Sequence, residues 1–310
     1  MTPGVTHFQM EQAMKRYESI ARRLARRAAA ASPAFAALAW CAAAAAAPAA
    51  TALIERGVVR RVRFAWFERE ASTPLFLSAL WAGAILFPSP FLFGIGDWPS
   101  ELWERADVTM RGALLAWAPD AWNVPAWPER LDGLLSDSAW ETLLAALGLF
   151  AALAVVSLAM RERAPRVRLV VGFAACALAL KAAATFMQSY TGLVLDWATP
   201  GALRGIAAGL VAALVALRLP AAWRAALAAA ALAAALVLVN VLPVNPFFDF
   251  ALSGWQQGRY VHFNSIARWL AWIWPYAALV WLAGRAERAW LARRGAGASR
   301  RASGKRRRSL

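Results

Sequence analysis

Cysteine is nearly missing from this sequence, with two among 310 residues. Cys41 and Cys176 both fall inside apolar runs, which excludes a disulfide framework and a cysteine metal site. Histidine is equally scarce. His7 and His262 are far apart, so no histidine pair has zinc-site spacing and no metal is expected. Charged residues make up 17% of the chain, against about 25% in a soluble domain. Lysine is confined to Lys15, Lys181 and Lys305, so arginine supplies nearly all of the 34 basic residues. There is no Walker loop, no HExxH, no GxSxG and no GxGxxG following a strand, so no nucleotide enzyme or serine hydrolase is indicated and no cofactor is expected. No inverted repeat of the kind many transporters carry is visible. No cleavable signal peptide is expected, because the first apolar run is too long for a signal h-region.

What the chain has in abundance is apolar length. Hydrophobic residues reach 61% and gather in runs close to the roughly 20 residues that a bilayer-spanning helix needs. Six runs read as spans: 72–96, 140–160, 169–190, 201–217, 222–244 and 266–284. The expected fold is an all-α, polytopic membrane helix bundle over 72–284. The formal charge of +16 points to cytoplasmic loops rather than to nucleic acid, because basic residues of membrane proteins concentrate on the inside. With the tail after residue 284 inside, the loops 56–70, 161–168 and 218–224 are also inside, and all are arginine-rich. The loops 97–139, 191–200 and 245–265 then face outward and carry the acidic excess. The arginine and alanine bias reads as GC-rich coding, which places the protein in a bacterial inner membrane.

Residues 1–71 form a basic cytoplasmic region with one further apolar segment, 32–54. Alanine dominates that segment, and basic clusters flank it on both sides. Two placements remain open, a seventh span or a helix lying on the cytoplasmic face. Residues 285–310 read as a disordered basic tail whose natural partner is anionic lipid. In the outer loop, Ser100 precedes a stripe of Trp103, Ala106, Met110, Ala113 and Trp117 at helical period. Pro128 opens a second short helix. The tryptophans of this loop favour the membrane–water interface. Gly201, Gly205 and Gly209 repeat at the spacing that lets helices approach closely, and ordinary packing within the bundle is the expected use.

Lys181 is the sharpest polar feature, a cation inside a span. Such a residue is by default a site hypothesis. Snorkelling to the outer interface is the bland alternative, and Asp196 and Asp249 are the acids expected within reach. The outer loop 245–265 adds Asn245, Asp249, Trp255, Gln256, Gln257, Arg259, His262 and Asn264. Arg259 has the fork geometry that suits phosphate or carboxylate. These residues are read as one outward-facing ligand site with Lys181. Oligomeric state is not legible.

Five blocks carry a family resemblance: TPLFLSALWAGAILFPSPFLFG (73–94), LALKAAATF (178–186), LDWATPGALRG (195–205), VLVNVLPVNPFF (237–248) and WQQGRYVHFNSIARWLAWIWP (255–275). The stretch 74–284 resembles the C-terminal part of long proteobacterial members of the VanZ-like family. That resemblance implies a non-enzymatic envelope protein of the inner membrane, binding a lipid-linked or amphiphilic ligand at its outer face. The acidic–glutamine–arginine–aspartate signature of the family's N-terminal part has no counterpart here. A transporter or a lipid-modifying enzyme is the alternative function.

Overall fold

The structure, a computed structural model, describes residues 63–87, 89, 91–105, 109–110, 134–188, 195, 197–242 and 261–307. Among the described residues, seven helices of eight residues or more follow in chain order: α1 Ser72–Ala84, α2 Trp98–Arg105, α3 Asp137–Leu158, α4 Arg166–Gln188, α5 Pro200–Ala216, α6 Ala221–Val241 and α7 Val261–Arg307. Alanine and leucine, which dominate these segments, are among the best helix formers. In lipid only a helix or a closed barrel satisfies every backbone group internally. Sequence punctuation sets the ends. Thr199 caps α5, its hydroxyl accepting from the Ala202 N–H at 3.1 Å, with Pro200 at the first helical position. Leu242 ends α6 in an extended conformation (ψ 141°), as expected of a residue preceding a proline, here Pro243.

α3 is the axis of the bundle. It packs against α5, α6, α1 and, more lightly, α4, while α7 packs on α6 and α1. Along α3 every residue from Gly148 to Leu158 except Phe150 is buried. α5 lies on it through Gly201, Gly205 and Gly209. A Cβ at Gly205 would sit 2.5 Å from the Ala145 Cβ and 2.7 Å from the Thr142 carbonyl oxygen. The glycine stripe is thus used inside the chain, against α3.

Among the described residues, four helices are long and apolar enough to cross a membrane: Asp137–Leu158, Arg166–Phe186, Ala221–Val241 and Asn264–Leu291. Two of the six spans read from the sequence, 72–96 and 201–217, are not among these four. α5 has 17 residues, about 25 Å at 1.5 Å per residue, which is short of the roughly 30 Å hydrocarbon core. The run 72–96 is not one helix. α1 stops after 13 residues at Ala84, and the chain continues as irregular, buried backbone through Phe91–Gly96. The cause is local: Pro88 and Pro90 push the residues before them, Phe87 and Ser89, out of the helical region. This irregular stretch is seated inside protein, where such backbone is tolerated. Phe93, at φ 62°, rests its carbonyl against Gly148, where a Cβ would lie 2.6 Å from that oxygen.

α7 runs on to Arg307, into the segment 285–310 read from the sequence as a basic tail. An existing helix avoids the nucleation step, and alanine, leucine and arginine favour propagation. In the outer loop the first helix begins at Trp98, two residues before the predicted cap. Residues 109–110 are helical. Trp117, the second short helix after Pro128, and the segment 32–54 lie outside the described residues.

Candidate functional site

The bundle has two unlike ends. At one, arginines crown the C-terminus of α3, where the last carbonyls lack intrahelical partners and the helix dipole favours cations. Arg224, buried, donates to the Ser157 carbonyl and hydroxyl at 3.3 and 3.1 Å. Arg285 donates to the Leu158 carbonyl at 3.4 Å and pairs with Glu68 at 3.5 Å. The Glu68 N–H reaches the Ala159 carbonyl at 3.0 Å, and Arg166 reaches that of Met160 at 3.3 Å. These side chains come from α4, α6, α7 and the turn before α1, so this end is locked by charge-assisted hydrogen bonds.

The other end holds the broken stretch 85–97, and polar side chains converge on its carbonyls. Lys181, buried at 5% exposure, donates from Nζ to the Phe87 carbonyl at 3.0 Å. The Gly96 carbonyl accepts from Asn240 Nδ2 at 3.1 Å and from the Tyr276 hydroxyl at 2.9 Å. Asn240 Oδ1 in turn accepts the Ser100 N–H at 3.1 Å, tying α2 to α6. Arg268 of α7 pairs with Glu101 of α2. Its guanidinium also lies 4.8 Å from the Trp272 ring centre and 5.8 Å from that of Phe87. Phe87 therefore has one cation on its carbonyl and a second on its ring. Gly96, at φ 101°, sits where a Cβ would lie 2.7 Å from Pro275 Cγ, so α7 and the break fit closely at the helix proline.

Asp97 closes the cluster. Burial pushes its carboxyl above the ordinary aspartate value, Glu101 adds to the rise, and Arg268 and its own backbone N–H oppose it. A raised folded pKa means the folded state holds the proton more tightly than the unfolded chain. The stability is then full at low pH and falls as pH climbs from the ordinary value through the raised one. Asp97→Asn is therefore expected to flatten this part of the pH dependence. Melting curves between about pH 4 and about pH 8 should show a variant-minus-wild-type difference that grows with pH. Parallel curves would show that Asp97 is not held in this environment.

Of the residues predicted to bind ligand, Lys181 and Asn264 are described, and both are buried. His262 falls in the first turn of α7. Asp196, Asn245, Asp249, Trp255, Gln256, Gln257 and Arg259 lie outside the described residues, so the expected meeting of Lys181 with the aspartates and the loop is not among the described contacts. Arg268, Glu101, Asp97, Asn240 and Tyr276 were missed. Their signal was present: Asn240 and Arg268 are polar residues inside apolar runs, as Lys181 is.

This fold belongs to the class of multi-pass α-helical membrane proteins, with a polar cluster built around a broken segment. No family model, curated protein or solved structure matches the chain.

Proposed function

We propose that this chain is a VanZ-like protein of the bacterial inner membrane, acting in the cell envelope without catalysing a reaction. It crosses the membrane six times, with the arginine end inside and the broken segment in the outer half. α1 together with 85–96 makes the first crossing and α5 the fourth. At the outer face it binds a lipid-linked or amphiphilic ligand through an anionic group. The observation that carries this reading is Lys181. It is a buried cation in an apolar helix, and its one described partner is the neutral carbonyl of Phe87. An ammonium so placed calls for an anion or a watery cavity, and Arg268 lies over the ring of the same phenylalanine.

Native mass spectrometry of the full chain released from nanodiscs tests it. Wild type is expected to retain an amphiphile that Lys181→Met holds about tenfold less well, since hydrogen bonds to charged groups contribute about 1.5–3 kcal/mol. The melting temperature should hold or rise, because the variant removes a buried charge along with its hydrogen bond. Equal retention by both proteins would remove the reading. A lipid-modifying enzyme is the second reading. The neighbouring carboxyls of Asp97 and Glu101, with the first raised by burial, favour it as an acid/base pair beside a cation.

A further inference from the structure

At the arginine end, α4 and α5 touch only lightly, and a groove of about 680 Å³ opens between them. That volume falls within the span of small-molecule sites. Three guanidiniums line it, from Arg166, Arg168 and Arg218, beside Val167, Leu214 and Val215. Arg166 is already committed, donating to the carbonyls of Arg161 and Met160 at 3.2 and 3.3 Å. Arg168 and Arg218 are exposed and make no hydrogen bond or ion pair among the described residues.

From this basic mouth an apolar track runs along the bundle. Val167 and Val171 lie one turn apart on α4, and Val211 and Val215 one turn apart on α5. All four are large apolar side chains left exposed. The groove sets Arg168 and Arg218 beside Val167, Leu214 and Val215, and the exposed Val171 and Val211 continue the apolar surface one turn beyond it, which matches a molecule with a compact anionic head and long hydrocarbon tails. Free phosphate would meet the arginines and leave the valine track unused. A nucleic acid would require a broad basic face with stacking aromatics, and the groove has no aromatic lining.

We propose that the groove between α4 and α5 at the arginine end binds one anionic phospholipid, its phosphate held by Arg168 and Arg218 and its acyl chains laid along the valine track. The site lies at the opposite end from Lys181 and is independent of the ligand proposed there. It is also distinct from diffuse attraction of lipid to the basic residues after α7's apolar part, because it selects a lipid by shape as well as by charge.

Two basic residues near a membrane surface correspond to roughly a 30-fold preference for anionic over zwitterionic lipid. The full chain in nanodiscs of mixed phosphatidylglycerol and phosphatidylcholine, read by native mass spectrometry, is expected to retain phosphatidylglycerol preferentially. Arg168→Gln/Arg218→Gln should lose most of that preference. Arg168→Lys/Arg218→Lys should keep most of it. Arg204→Gln is the charge control at the other end, where Arg204 donates to the Pro200 carbonyl. A glutamine pair that retains wild-type selectivity would overturn the proposal. So would an equal loss in Arg204→Gln, which would mark the preference as diffuse charge. If the glutamine pair fails to fold, Val167→Glu decides: a wild-type preference there would overturn the site.

Discussion

Gly205→Leu is expected to unfold the bundle or split α5 from α3, lowering stability by at least about 3 kcal/mol, at the upper end of overpacking effects. The reason is what lies opposite. The first side-chain carbon would stand 2.5 Å from the Ala145 Cβ, 2.7 Å from the Thr142 carbonyl oxygen and 3.2 Å from the Ala146 nitrogen, so two of the three nearest atoms are backbone. Backbone in a packed helix does not swing aside as a side-chain end does. Gly209, one turn on, meets the Ala146 carbonyl at 2.7 Å, so α5 cannot slide to relieve the clash. In lipid such close approach is a main source of helix association, because the bilayer supplies no hydrophobic drive between helices. Gly172→Leu is the matched control. A Cβ there meets nothing within 4 Å, and its melting temperature should stay at or above that of wild type, since glycine is a poor helix former. Thermal melts in detergent compare the two. Equal stability of both variants would contradict the packing of α5 on α3.

Trp81→Ala is the second large effect, expected to destabilise by about 3–5 kcal/mol. Trp81 is fully buried, with Phe93 at 5.4 Å, Phe173 at 5.7 Å and Trp274 at 6.3 Å between ring centres. Those neighbours belong to the broken segment, α4 and α7, so one indole joins four parts of the chain. Trp274 is itself held by its indole N–H, which donates to the Leu77 carbonyl at 2.6 Å. A void left at Trp81 is sealed from lipid tails and stays empty. Because Phe93 leans on this ring, the variant should also loosen 85–97, seen as faster amide exchange there than in α3. Trp223, exposed at the arginine end, gives the contrast: Trp223→Ala should change stability by about 0.5 kcal/mol or less.

Much of the helical frame is legible from apolar run length alone. The runs at 140–160, 169–190, 201–217 and 222–244 differ from α3, α4, α5 and α6 by only a few residues at their ends. Apolar length is a strong signal because lipid demands it. The break after Ala84 was written in Pro88 and Pro90, yet it is hidden in a run that is apolar throughout. The tail's helicity was hidden for the opposite reason: dense positive charge reads as disorder, while a preceding helix lets it propagate. At Lys181, Asn240 and Arg268 the signal was a polar residue inside an apolar run, but their partners were not legible. Lys181, Asn240 and Tyr276 meet backbone carbonyls, which leave no trace in side-chain spacing, and Arg268 meets Glu101 from a distant loop. The arginines at the end of α3 were legible as topology signals. Their second use, capping Ser157 to Met160, required the three-dimensional meeting of α4, α6 and α7.

The placement of the Lys181 cluster in the outer half of a six-crossing bundle is tested most directly by site-specific accessibility markers in the full chain. Markers after Gly96, Tyr190 and Val261 are expected on the periplasmic face, and those after Glu70, Glu162, Leu219 and Gly295 on the cytoplasmic face. The two short segments decide the outcome. If α5 does not cross, Tyr190 and Leu219 will report the same face; if α1 with 85–96 does not cross, Glu70 and Gly96 will do so. Either result would contradict the six-crossing account and remove the outer-half position of Lys181 on which the proposed ligand site depends.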